Sequence, residues 1–164
     1  MLFLFVRNFK QDSNLGLKAK LLILQKSLVR IICNANRISH ADPLFHKLNT
    51  LKIDDLYEQS IRIFSFQLYR NILPPVITSL FPKVNHGHNT RGSNTNMFVS
   101  RSDRRSIKAI APKCWNSLSL ELRNSPSISV FKKRSKSSFI NDYSKFSCAV
   151  PQCKSCLASQ ALTR

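Results

Sequence analysis

Residues 21–32, LLILQKSLVRII, constrain the fold more than any other stretch of the chain. On a helical wheel Leu21, Leu24, Leu28, Ile31 and Ile32 share one broad face, and Lys26 and Arg30 lie together on the other side. An apolar arc this wide is too large to leave in water, so the pattern calls for a partner helix. Residues 55–72 supply one. Tyr57, Ile61, Phe64, Leu68 and Ile72 follow one another at spacings of four, three, four and four, while Asp55, Gln59, Arg62 and Arg70 take the opposite face. Asp54 reads as the N-cap, Glu58 is placed to pair with Arg62, and Pro74-Pro75 ends the helix. Two such stripes face to face predict the core of an antiparallel helical bundle.

The remaining elements are shorter. Residues 1–17 form an unpatterned lead, and the first helix runs from about Lys18 to the polar Asn34-Ala35-Asn36. Ser39 or Asp42 caps a short helix that opens at Pro43 and buries Leu44, Phe45 and Leu48; Leu51-Lys52-Ile53 is an extended connector. The helical bundle thus spans 18–81. Residues 82–105, rich in Asn, Ser and Arg, read as a long polar loop, and Ser106–Ala111 (SIKAIA) alternates like a short strand. A turn and a helical turn around Trp115 come next. The last helix runs from Ser127 to about Asp142, its apolar face of Ile128, Phe131 and Phe139 thinned by Ser135. Residues 106–144 make this Trp-containing extension, and 145–164 a disordered Cys-containing tail. The predicted class is mainly α.

Charge decides which partners make sense. Twenty-six Lys and Arg against eight Asp and Glu give a net charge of +18, an excess that suits a chain neutralised by a polyanion. Residues 51–75 carry three charges of each sign, so the excess belongs to the segments around the best-patterned helix. Nucleic acid is the favoured partner, with an acidic membrane surface second. The opening MLFLFV is too short for a spanning helix and lacks the basic lead of a secretory signal. With five cysteines, an odd number, this predicts an intracellular protein, nuclear or cytoplasmic, with reduced thiols and no membrane anchor.

Four pieces of the sequence then point to a family. They are Leu24-Gln25-Lys26 with Val29-Arg30-Ile31-Ile32; Ala41-Asp42-Pro43-Leu44-Phe45 followed by Leu51-Lys52-Ile53 and Leu56-Tyr57; His88-Asn89-Thr90-Arg91; and Pro112-Lys113-Cys114-Trp115-Asn116-Ser117-Leu118 leading to Ser129-Val130-Phe131-Lys132-Lys133. In order and spacing they resemble the C-terminal end of reverse transcriptases encoded by non-LTR (LINE-type, jockey-like) retrotransposons. The family's usual glycine before the proline is Ala111 here, its proline after Asn-Ser-Leu is Ser119, and Ser135 stands where a leucine is usual. The resemblance implies a thumb-like bundle and a post-thumb extension that contact RNA or template–primer duplex, attached in the parent protein to the rest of a reverse transcriptase. It implies no chemistry in this segment.

Each local constellation has a functional and a plain reading. Asp54-Asp55 resembles a polymerase metal pair, but a helical period begins at once and carboxylates suit a helix N-terminus. No catalytic residue is assigned. Cys148-x4-Cys153-x2-Cys156 has metal-like spacing, yet residues 157–164 contain no fourth ligand, so the reading is free thiols unless Cys114, Cys33 or a distant histidine is recruited. No metal and no cofactor is expected. Trp115 reads as a core anchor before a base-stacking platform, and His86 and His88 as solvated neighbours of Arg91. Candidate phosphate contacts are Lys26, Arg30, Arg91, Arg101, Arg104, Arg105, Lys132, Lys133 and Arg134, which would neutralise RNA or DNA without reading its sequence. The rival class is a domesticated or unrelated basic helical module that binds an acidic protein.

Overall fold

The structure, a computed structural model, describes residues 15–81, 97, 106–145, 147, 148, 153, 154 and 156. The chain is mainly α-helical, with seven helices and no strand among the described residues. The first three, α1 (Leu15–Ile32), α2 (Asp42–Lys47) and α3 (Ile53–Tyr69), are each followed two residues later by an asparagine. Asn34, Asn49 and Asn71 take φ values of 49°, 50° and 53°, a left-handed backbone that asparagine tolerates better than other side-chain-bearing residues. The chain then folds back twice at each site: Asn34 and Ala35 donate to Ile31 and Arg30, Asn49 and Thr50 to His46 and Phe45, Asn71 and Ile72 to Leu68 and Gln67. These paired bonds satisfy carbonyls that a bare helix end would leave open.

Four helices follow: α4 (Pro75–Thr78), α5 (Ile107–Ser117), α6 (Leu120–Arg123) and α7 (Ile128–Ser144). The strand expected at 106–111 is the first half of α5. Six alternating residues do not separate a strand from a helix. The apolar row continues at helical spacing through Ala111, Trp115 and Leu118, all buried. Ser106 caps the helix, its hydroxyl accepting the Lys108 amide at 3.3 Å. Pro112 sits inside α5, where it can donate no helical bond, and its ring is fully buried. Ser119, where the resembled family has proline, caps α6 by accepting the Leu122 amide at 3.4 Å.

Contacts divide the chain into two units, one formed by residues up to Tyr57 together with those from Ser137 onward, the other by Glu58–Lys136. In the first, Val29 of α1, Ala41, Phe45 of α2, Leu51, and Phe139, Ile140 and Tyr143 of α7 form the core, with Leu44 and Leu48 packed on it. In the second, Phe66 of α3, Trp115, Leu118 and Phe131 form the core. Trp115 is fully buried, stacked on Tyr69 with ring centroids 4.4 Å apart, so it is a core anchor as the sequence suggested. Phe66 stacks on Phe131 at 4.5 Å. Ser65 is fully buried as well; its hydroxyl lies 2.8 Å from the Ile61 carbonyl and 3.0 Å from that of Ala111, and this small side chain brings α3 onto α5.

Two expectations about faces are overturned. The stripe of α1 is on the surface: Leu21, Leu24, Leu28, Ile31 and Ile32 are all exposed, Ile31 at 73%. The side that packs carries the buried Val29 and, beside it, the polar Gln25 and Arg30. Gln25 donates through Nε2 to the Leu51 carbonyl at 2.8 Å and accepts the Ile53 amide on Oε1 at 3.0 Å, while Arg30 Nε donates to the Ser39 carbonyl at 2.8 Å. Core burial of Val29 and hydrogen bonds to neighbouring backbone fall on this side of the helix, and the wide apolar stripe falls on the other. In α3 the buried residues are Ile61, Ser65, Phe66 and Leu68; Tyr57 and Phe64 are half-buried and Ile72 is exposed beyond the helix end. Asp54 is likewise inside the first turn of α3 and not its N-cap, because the Leu56 amide already donates to the Lys52 carbonyl at 3.0 Å, which starts the helix ahead of it.

Candidate functional site

The basic residues proposed as phosphate contacts fall into three groups. Lys132, Lys133 and Arg134 are exposed along α7, on the side away from the buried Phe131 and Ser135. A helix with apolar contacts on one side necessarily turns this run outward. The Arg134 Nη1 donates to the Glu121 carbonyl at 3.3 Å, which fixes the guanidinium near the end of α6 without neutralising it. Lys26 and Arg30 are half-buried, and Arg30 is engaged with Ser39, so these two are less available than the wheel suggested. Arg91, Arg101, Arg104 and Arg105 lie outside the described residues, as do His86 and His88 and the rest of the expected polar loop, Met97 apart. Met97 is held in both directions by Asn116: its amide donates to Oδ1 at 2.9 Å and its carbonyl accepts from Nδ2 at 3.0 Å.

One basic side chain missed in the sequence is structural. Arg123 is buried; its Nε donates to the Leu118 carbonyl at 3.0 Å, its Nη2 donates to the Asn116 carbonyl, and its guanidinium lies 5.8 Å from the Trp115 ring centre. It closes the C-terminal end of α5, where cations and free carbonyls attract.

Five carboxylates of the described residues are bound up within the chain. Asp54 pairs with Lys18, Asp42 with Lys52 at 2.8 Å, Glu58 with Arg62 at 2.7 Å and Asp142 with Lys145 at 3.1 Å. Asp55 accepts the Tyr143 hydroxyl. Asp54 and Asp55 therefore face different partners.

The cysteines depart most from expectation. None of the five is in a disulfide, but three are not independent thiols on a loose tail. Cys148, Cys153 and Cys156 gather around His40, with Nε2 3.4 Å from the sulfur of Cys153 and 3.4 Å from that of Cys156. The four donor atoms all lie within 4.8 Å of one another, and all four residues are half-buried. Partial burial, followed by hydrogen bonds and charge from Cys148 and Cys153, pushes the Cys156 thiol up to about 11. Local spacing could not reveal the fourth member, because His40 precedes Cys153 by 113 residues. Cys114 belongs to the other unit and is half-buried, its thiol raised to about 11 by burial, with Arg62 lowering it and Glu58 raising it.

No described helix is long and apolar enough to cross a membrane. Comparison with protein-family models, with curated proteins and with solved structures found no match.

Proposed function

We propose that the chain binds RNA or DNA through its basic surface without sequence selectivity, as a noncatalytic C-terminal segment of a non-LTR retrotransposon reverse transcriptase. The observation that carries this reading is the net charge of +18 together with the outward Lys132-Lys133-Arg134 run of α7. Phosphate oxygens are the partner such a surface suits best, and contacts to them hold a strand in place without reading bases. The family assignment is supported by the four sequence pieces given above. The noncatalytic part is supported by the engagement of Asp42, Asp54, Asp55, Glu58 and Asp142, each with a cation or hydroxyl of the same chain. Two-metal phosphoryl transfer needs carboxylates that converge on a shared ion pair.

Fluorescence anisotropy with single-stranded RNAs of several sequences tests the reading. Replacing Lys132, Lys133 and Arg134 together by alanine should weaken binding by a similar factor for every sequence. Absence of binding at physiological salt, or tight binding confined to one sequence, would contradict it.

A second reading, a basic helical module that binds a protein, is favoured by one observation: the exposed Leu21, Leu24, Leu28 and Ile31 of α1. Exposed apolar stripes mark interaction surfaces. A saturable protein partner that excess RNA does not displace would select this reading.

A further inference from the structure

We propose that His40, Cys148, Cys153 and Cys156 hold one zinc(II) ion in a closed, tetrahedral Cys3His site that ties the chain beyond α7 to the segment ahead of α2. The donor geometry leads there. With Zn–S near 2.3 Å and Zn–N near 2.0–2.1 Å, a tetrahedron has donor-to-donor edges of about 3.6 Å for nitrogen–sulfur and about 3.8 Å for sulfur–sulfur. The two nitrogen–sulfur separations at His40 are 3.4 Å each, and no pair of the four donors is further apart than 4.8 Å. Closing on an ion takes shifts of about 1 Å or less. Both short contacts are made by the same ring atom, Nε2, as a single coordination bond from His40 requires.

The donor set selects the metal. Three thiols and one imidazole favour a soft or borderline ion over the oxygen-seeking magnesium and calcium, and four protein donors fill a tetrahedron, leaving no position for substrate. The x4 and x2 spacings within Cys148, Cys153 and Cys156 let one short segment wrap one ion. Binding converts three thiols to thiolates, and the three protons leave to solvent.

The backbone on both sides is held before any ion arrives. Ser39 donates its amide to the Asn36 carbonyl at 2.9 Å, and the Ser39 carbonyl accepts Arg30 Nε at 2.8 Å. Ala41, on the other side of His40, is buried, and its carbonyl accepts the Phe45 amide at 2.9 Å. Five residues before Cys148, Tyr143 packs edge-on against Phe45 with centroids 6.2 Å apart. All of these residues belong to one unit, so the ion closes a long loop within it, where a cross-link constrains the unfolded chain strongly. The site stands apart from the nucleic-acid reading and does not depend on it.

The test uses the full reduced chain with zinc(II), and with cobalt(II) as a spectroscopic probe. One zinc per chain should survive dialysis, and cobalt should give intense tetrahedral ligand-field bands with thiolate charge transfer. His40→Ala should lower zinc affinity by more than about 100-fold, since loss of mere outer-shell partners already costs 10–100-fold. His40→Cys should restore a tetrahedral site, which separates ligation from general unfolding; Cys33→Ser and Cys114→Ser should change neither stoichiometry nor spectrum. Three results would each overturn the proposal: substoichiometric zinc, an octahedral cobalt spectrum, or His40→Ala binding zinc as tightly as the parent.

Discussion

The Tyr143 hydroxyl donates to the Asp55 carboxylate and accepts the backbone amide of Lys52 at 3.2 Å, so one phenol near the end of α7 fixes the start of α3. Its ring also lies 4.4 Å from Lys52 Nζ, which pairs in turn with Asp42. Tyr143→Phe keeps the ring against Phe45 and removes only the oxygen. The Lys52 amide and the Asp55 carboxylate then lose a partner in a half-buried place. Urea unfolding should show a loss of about 1–3 kcal/mol, the cost of leaving buried polar groups unpaired. A loss below about 0.5 kcal/mol would mean that water replaces the phenol.

The same contact makes stability fall at alkaline pH. Burial, and after it the hydrogen bond to Asp55, raises the Tyr143 phenol above its usual 10.0. A group raised in the folded state contributes fully below its unfolded pKa, and that contribution is lost as pH climbs through the folded value. Stability should therefore drop from pH 10 upward, and Tyr143→Phe should flatten that part of the profile. Tyrosinate absorbance gives the check: equal titration of all tyrosines near pH 10 in the folded protein would contradict it.

Phe66 and Phe64 should differ sharply. Phe66 is fully buried between Trp115 and Phe131, whereas Phe64 is half-buried and meets Phe81 edge-on at 5.8 Å. Phe66→Ala should cost about 3–5 kcal/mol and Phe64→Ala less than about half of that. The reverse order in denaturant unfolding would restore the helix face that the sequence pattern first suggested.

Cys114 should be a slow thiol. Burial raises it from 9.0 to about 11, and only the thiolate reacts with alkylating agents. Iodoacetamide labelling at pH 8, followed site by site by mass spectrometry, should find Cys114 at least about tenfold slower than free cysteine. Labelling as fast as the free amino acid would show the thiol to be open to solvent.

The sequence showed where helices stand better than which way they face. Asn34 ended α1 as read, α7 appeared within two residues of its expected ends, and Trp115 is an anchor. Each of these rests on local chemistry: a left-handed asparagine, a helical period, one large ring among apolar neighbours. Helix orientation failed in α1 because contacts distant in sequence lie on its other side. Gln25 reaches Leu51 and Ile53 and Val29 enters the core, while the leucine stripe stays outside. The short strand failed because alternation over six residues carries too little information. The thiol cluster was half visible, since Cys148, Cys153 and Cys156 are near one another in sequence while His40 comes close only through folding.

Binding of RNA by the full chain should depend steeply on salt. If about four to six phosphates are neutralised, a plot of log K against log salt for single-stranded RNA should fall with a slope of about −3 to −4. A flat plot would show that the charge of +18 is not spent on phosphates, and would contradict the nucleic-acid reading outright.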